Sequence, residues 1–372
     1  MASRILITGG AGFIGSHLAD ALVAAGHRVR VLDDLNPQVH GADRQKPAYL
    51  SKEVELVVGD VRDRDAVARA LESVDAVYHF AARVGVGQSM YAMAEYTSVN
   101  SLGTAVLLEA MVEKRIRRLV VASSMSIYGE GLYVDAAGRR VEAAPRNVEQ
   151  LRHGDWEPRG PGGERVVPVA TPEDKTPALE SIYALTKYDQ ERACLIAGRA
   201  YGIDVVALRF FNTYGERQAL SNPYTGVLAI FASRLLNGNR PLVFEDGLQQ
   251  RDFVNVRDVV RACTLALGSR TAVGHAINVG SGQARTVREV AERVAHAVGR
   301  EDLVPEVTAS CRAGDVRHCF ADITRARRLL GYEPRIGFDR GLRDLASWLD
   351  GQLPRDRVVE ARVELETRGL TL

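Results

Sequence analysis

Near the amino terminus the apolar run RILITG passes directly into the rest of TGGAGFIGS, with glycine at positions 9, 10, 12 and 15. The run reads as a strand and the residues after it as a helix, so the glycines occupy a strand-to-helix turn. Gly9, Gly12 and Gly15 permit the tight turn, the close approach of a pyrophosphate and the close packing of helix on strand. The helix N-terminus, where Phe13 and Ile14 lie, favours the anion. A chain that opens in this way is committed to a parallel α/β sheet that binds a dinucleotide.

The following residues repeat the pattern. RVRVLD, VELVVGD, AVYHFAA, RLVVASS and DVVALRFFN are near-continuous apolar runs with helical stretches between them. Runs of this kind suit parallel strands covered on both faces, and the expected architecture is a doubly wound Rossmann sheet. Beyond Asn212 the pattern breaks into loops, a helix near 227–236, the short strand PLVFEDG, and helices near 287–298 and 324–330. We therefore expect a dinucleotide-binding domain over residues 1–212, a smaller α+β substrate lobe over 213–350 that interleaves with it, and a tail over 351–372. The stretch 130–181, rich in Gly, Pro, Arg and Glu, reads as an insertion: a surface loop, or a lid or partner surface. The tail RDRVVEARVELETRGLTL reads as a charged amphipathic helix packed at the periphery.

Composition narrows the partners. With 48 basic and 47 acidic residues the net charge is +1, which recommends neither nucleic acid nor an acidic membrane surface. No run approaches the ~20 apolar residues of a bilayer span, and MASR leads straight into the first strand without a signal peptide. Cys194, Cys263, Cys311 and Cys319 contain no CxxC pair, so reduced thiols, no metal and a cytoplasmic enzyme are expected.

Several positions should meet the dinucleotide. Asp33 ends the second strand 18 residues after Gly15, where a carboxylate binds the adenosine ribose and repels a 2′-phosphate, favouring NAD over NADP. Asp60, with Val61 beside it, ends the third strand within reach of the adenine, although a bare turn aspartate is the alternative. Ala81 and Ala82 in HFAA let the backbone approach a cofactor, or serve packing alone. Ser123, Ser124 and Ser126 in SSMSIYG stand at the carboxyl edge of the sheet, where open α/β folds bind ligands.

Tyr183 and Lys187 lie four residues apart in SIYALTKYDQERACL, so both leave one face of a helix. An ammonium beside a phenol favours the phenolate, but lowering a tyrosine pKa from about 10 to about 7 takes roughly 4 kcal/mol. A second cation is needed, and oxidised nicotinamide is one.

The ordered set TGGAGFIGS, Asp33, HFAA, SSMSIYG, YALTK, RFFN and QRDFVNVRDV resembles the extended short-chain dehydrogenase/reductase family, in its nucleotide-sugar epimerase and dehydratase branch, over about residues 4–349. The resemblance implies an NAD cofactor, a catalytic triad of Ser124, Tyr183 and Lys187, and contact of Lys187 with the nicotinamide ribose. It implies that Asn212, Arg251, Arg312 and Asp315 hold a nucleotide diphosphate, with Asn222 close by. Val243 and Phe244 would flank the pyrimidine base, and the loop from Val84 and Gly85 to Ser89, with Ser126, would line the sugar. It also implies a homodimer through helices 95–113 and 181–201.

Dehydratases of this branch carry Asp and Glu directly after the catalytic Thr, and decarboxylases usually carry Glu where Ser126 stands. This chain has Met125 and Ser126. The expected reaction is thus 4-epimerisation of a nucleotide-diphosphate hexose, with dehydration, decarboxylation or net ketoreduction as alternatives and a catalytically silent sensor as a further one. RVGVGQSMY, RQALSNPYTGV and the tail resemble most closely the epimerases of dTDP-L-rhamnose and related 6-deoxy sugars, with the UDP-glucose 4-epimerases next. Relatives with this long insertion often carry paired cysteines in it, and residues 130–181 contain none.

Overall fold

Strands rich in Val and Ile need apolar cover on both faces, and seven of them obtain it in one parallel sheet. They are β1 (Arg4–Thr8), β2 (Arg28–Asp33), β3 (Glu55–Val58), β4 (Ala76–His79), β5 (Arg118–Ser124), β6 (Asp204–Phe210) and β7 (Ala276–Val279), in the spatial order 3-2-1-4-5-6-7. The computed structural model describes residues 2–224, 226–311 and 315–371. Side-chain alternation along the strands divides the core in two. Ile5, Ile7, Val31, Tyr78, Val120 and Val206 face one layer, while Leu6, Leu32, Val77, Leu119, Val121 and Val205 face the other.

The first layer is closed by helices Phe13–Ala24 and Val256–Gly268, and the second by Arg64–Ala70, Gly103–Glu113 and Ile182–Tyr201. The order reverses between β1 and β4, so their carboxyl ends diverge and open a crevice there. The chain does not divide cleanly at 212. Helix Val256–Gly268 and strand β7 return to complete the sheet, with Ile277 paired to Leu208.

The smaller lobe surrounds Tyr214, Phe231, Phe253, Val290, Phe338 and Leu342. Asn212–Tyr214, Gln250–Asn255, Ala284–Thr286 and His318–Cys319 form its four-stranded sheet, and Leu242–Val243 pairs with Glu306–Val307 in a second, two-stranded one.

The insertion has structure of its own: Leu132–Val134 pairs antiparallel with Arg140–Val141 and with Val167–Val169. It is fastened to the smaller lobe by charge. The fully buried Arg317 guanidinium donates to Glu157, Glu245 and Asp246, and Arg146 donates to Glu245 and to the Asp315 carbonyl. Such anchoring leaves no apolar periodicity, so the sequence showed none there.

The tail differs from its expected peripheral place. Helix Val358–Thr367 lies against the cleft between the two lobes, with Leu365 its buried residue.

Candidate active site

The crevice at the carboxyl edge of the sheet continues between the lobes as one cleft of about 640 Å³. The glycine turn forms its floor. Gly9 adopts φ +69°, and a Cβ there would stand 2.8 Å from the Ala81 nitrogen. At Gly15 a Cβ would lie 2.6 Å from the Gly9 carbonyl oxygen, so this glycine serves the turn itself. Around Gly12 the space is open, since a Cβ would meet only the Gly9 oxygen at 3.4 Å. Gly12 caps helix Phe13–Ala24 without a side-chain hydrogen bond, so the first-turn N–H groups face the cleft and fit a pyrophosphate.

Asp33 accepts from the Ala11 nitrogen and the Leu35 nitrogen, each at 3.0 Å, and its carboxylate also faces the cleft. One aspartate thus braces the glycine turn while presenting charge where a ribose would lie. His40, absent from the sequence-based assignment, stands 3.6 Å from Asp33 with its side chain buried. Asp60 is held by Arg62 through contacts of 2.5 and 2.9 Å, and the hydrogen bond from Arg62 holds its carboxyl below the usual range. Asp60, Val61, Ala81, Ala82, Phe13 and Ile14 all line the cleft.

The catalytic candidates meet at the centre. Ser124 ends β5, and its hydroxyl oxygen accepts from the Ser126 amide at 3.2 Å and the Ser126 hydroxyl at 2.9 Å. Ser181 caps helix Ile182–Tyr201 by accepting from the Ala184 nitrogen, and the Tyr183 nitrogen donates to Ser89 of the 84–89 loop. Ser124, Tyr183 and Lys187 therefore line one space, although they come from a strand end and a helix face. The sequence-based premise that Lys187 eases the Tyr183 proton is only part of the balance. Burial raises the Tyr183 phenol above its ordinary value, and the hydrogen bond with Ser124 lowers it. Burial also lowers Lys187 to about 8. Both shifts disfavour the phenolate–ammonium pair, and a cation bound in the cleft would act against them.

Behind Lys187 lies a polar network that the motifs did not reveal. Lys187 Nζ donates to Gln190 Oε1 at 2.6 Å, and the Gln190 amide nitrogen reaches Thr104 at 2.9 Å and His79 at 3.2 Å. Burial, followed by the Lys187 charge, lowers His79 to about 3, so the imidazole is neutral. Asn100, in the π-helical turn Thr97–Leu102, accepts from the Arg83 nitrogen and donates to the Arg83 oxygen and to Thr186. It ties Arg83, which leads into the helical turn Val86–Ser89, to the tyrosine helix. π-Turns of this kind frequently mark functional positions.

The wall opposite comes from the smaller lobe. Asn212, Asn222, Phe244, Arg251 and Asp315 line the cleft, as do Val84, Gly85 and Ser126. Arg251 donates to the carbonyls of Gln250, Val316 and Arg317 and lies 3.7 Å from the Asp315 carboxylate. Val243 is a correction. It is fully buried in the smaller core, while its neighbours Leu242 and Phe244 line the cleft, because Leu242–Val243 is a strand and successive side chains alternate. Arg312 lies outside the described residues. Tyr224, Gln249 and Leu365 also line the cleft and were not foreseen. The Oδ1 of Asn212 and the Oε1 atoms of Gln218 and Gln249 are buried without partners, leaving acceptors available to a ligand.

Among the described residues no group of three or more His, Cys, Asp or Glu side chains is arranged to hold a metal, and no helix is long and apolar enough to cross a membrane. The four cysteines are buried and free.

Comparison with known proteins agrees with this geometry. The profile of the NAD dependent epimerase/dehydratase family matches residues 5–150 and 157–280. The chain is 34% identical over 358 residues to a dTDP-L-rhamnose 4-epimerase of Burkholderia thailandensis, covering 95% of this chain and 96% of that one. It is 34% identical over 345 residues to a UDP-glucose 4-epimerase of Mycolicibacterium smegmatis, covering 91% and 96%. Among solved structures, the Thermus thermophilus UDP-glucose 4-epimerase complexed with NAD superimposes with a TM-score of 0.75 at 32% identity, covering 94% of this chain and all of that one.

Proposed function

We propose, on the premise that the chain belongs to the NAD dependent epimerase/dehydratase family, that it inverts C4 of a nucleotide-diphosphate hexose. The first candidate substrate is a dTDP-6-deoxyhexose such as dTDP-L-rhamnose, in keeping with the Burkholderia thailandensis relative. A UDP-glucose-type sugar is the second.

NAD supplies a reversible hydride acceptor. The glycine turn and the N-terminus of helix Phe13–Ala24 would hold its pyrophosphate, Asp33 the adenosine ribose, Asp60 and Val61 the adenine side, and Ala81 and Ala82 the approach to the nicotinamide. Lys187 would hold the second ribose and keep a positive charge beneath Tyr183. Burial raises Tyr183, and with an oxidised nicotinamide's positive charge beside it and the Ser124 hydrogen bond the phenol would give up its proton more readily. The phenolate then takes the proton of the sugar 4-hydroxyl, with Ser124 directing that hydroxyl. After the 4-keto sugar turns over, Tyr183 returns the proton as the hydride comes back to the other face. Asn212, Asn222, Arg251 and Asp315 would hold the diphosphate and Phe244 the base, while the 84–89 loop and Ser126 border the sugar.

The observation that carries epimerisation over elimination is the surroundings of Ser124. Met125 packs against the first core layer and Ser126 bonds to Ser124, so neither supplies a carboxylate at C5. Among the described cleft residues the only glutamate is Glu180, which is exposed. The same reading carries a cytoplasmic homodimer. Leu102, Leu185 and Ile196 expose 54%, 48% and 52% of their surface on the two helices expected to pair.

The deciding experiment incubates the protein with UDP-, dTDP-, GDP- and ADP-sugars, identifies products by NMR and follows the absorbance of reduced cofactor. A C4 epimer with no net NADH is expected; stoichiometric gain or loss of NADH rejects the reading.

A further inference from the structure

Helix Val358–Thr367 is weakly anchored by its own packing. Leu365 is buried, whereas Val359 and Val363 remain 58% and 53% exposed. Polar contacts fix its position instead. The Arg355 nitrogen donates to Ser221, Asp356 accepts from Asn239 at 2.8 Å and Arg234 at 3.3 Å, and the Arg368 guanidinium lies 4.5 Å from the Tyr91 ring centroid. So held, the helix turns Val358, Ala361, Arg362 and Leu365 to the cleft, where Thr371 joins them with its buried hydroxyl unpartnered.

Leu365 bears on the loop that borders Tyr183. A Cβ at Gly87 would lie 3.5 Å from a Leu365 methyl and 3.8 Å from the Tyr224 ring, so loop and helix are fitted to each other. Tyr224 covers Gly85 and bonds to Tyr91, while Tyr96 packs edge-on against Tyr183 with 6.4 Å between centroids. A continuous packed path therefore runs from the helix to the proposed base.

We propose that helix Val358–Thr367 is a retaining wall at the sugar end of the cleft, with Leu365 as the positioning residue that keeps the oxidised sugar in place between the two hydride transfers. The inference rests on the epimerase reading. A C4 epimerase faces two opposed demands. Its sugar must turn over, which disfavours a wall of fixed hydrogen bonds, yet it must not leave. When C4 has given a hydride to NAD⁺ and its hydroxyl proton to Tyr183, escape of the 4-keto sugar leaves NADH behind and the site inactive. The apolar part of the wall, Val358, Ala361 and Leu365, meets both demands, because it confines without fixing orientation, while the Arg362 guanidinium beside it is engaged with Glu366 at 2.6 Å.

The test uses the full chain with Tyr183→Phe to prevent turnover, with and without Leu365→Ser. Dissociation rates are measured for dTDP-L-rhamnose and UDP-glucose and, separately, for dTDP and UDP. The wall predicts that Leu365→Ser speeds release of the sugar nucleotides about tenfold while changing release of the bare nucleotides less than about twofold. Removal of residues 354–372, with NAD affinity as the control for folding, should act in the same direction. With Tyr183 intact, Leu365→Ser should accumulate up to one equivalent of bound NADH during exposure to substrate. Equal acceleration for sugar nucleotides and bare nucleotides, or no acceleration, overturns the proposal. If the unaltered cleft binds no nucleotide sugar, the epimerase reading fails and the wall with it; if it binds and epimerises while the variants release at the original rate, the wall alone fails.

Discussion

The Lys187 ammonium donates to Gln190 Oε1 at 2.6 Å, one helical turn further from Tyr183, and Gln190 spends its amide nitrogen on Thr104 and His79. The buried cation thus has a neutral acceptor that is itself held in place. A hydrogen bond to a charged group contributes about 1.5–3 kcal/mol, which corresponds to one to two units of pKa. Gln190→Leu should therefore lower Lys187 further, reduce kcat at neutral pH by about tenfold, and move the alkaline fall of the kcat profile about one unit lower. An unchanged profile contradicts this role.

Lys187 is also a stability statement. Its folded pKa of about 8 lies below the ordinary lysine value of 10.5, because burial disfavours the ammonium. The unfolded chain then binds more protons between pH 8 and 10.5, so this group's contribution to stability is present above 10.5 and lost as pH falls through 8. Lys187→Met should be more stable than the parent at pH 7, and the difference should shrink by up to about 3 kcal/mol between pH 7 and pH 10.5. Urea denaturation of both proteins at the two pH values measures it.

Gly12 and Gly15 should separate binding from folding. Gly12→Val meets open space and should keep the melting temperature within a few degrees while NAD affinity falls by about a hundredfold or more. At Gly15 the side chain would strike Gly9 and Gly10, so Gly15→Val should lower the melting temperature itself. Thermal shift with and without NAD distinguishes the two, and equal loss of stability would refute the assignment of Gly12.

The insertion's charge clasp should yield to acid. The hydrogen bond from His318, then that from Arg317, lowers Glu157 to about 2, below its ordinary 4.5. Its contribution is present above pH 4.5 and lost as pH falls through 2. Because its side chain is 52% exposed, solvent screening reduces the expected cost of Glu157→Gln to about 1 kcal/mol at pH 7, shrinking as pH falls from 4.5 through about 2. Amide exchange at Val167–Val169 reports the local effect.

Tyr183→Phe keeps the helix, its Ser181 cap and the cleft but removes the hydroxyl proposed as the proton acceptor. Epimerisation should fall by at least about 10³-fold with NAD affinity within a few-fold of the parent, measured by NMR conversion and equilibrium titration. Retention of the full rate would remove Tyr183 from the mechanism.

The features legible in the sequence were those whose geometry is local. Strand, turn and helix follow one another within TGGAGFIGS, Asp33 is fixed by the end of its own strand, and Tyr183 and Lys187 are fixed by one helical turn. The apolar runs sufficed for the sheet, because burial on both faces leaves a pattern in every strand. Tertiary structure decided whatever depends on which distant segment lies opposite. It turned Val243 inward and Phe244 to the cleft, brought Thr104 and His79 to Gln190 and Arg317 among three carboxylates, and carried Leu365 back to Gly87. A charge clasp and a single buried leucine have no period to betray them. Their partners lie up to hundreds of residues away along the chain, and only the folded packing brings them together.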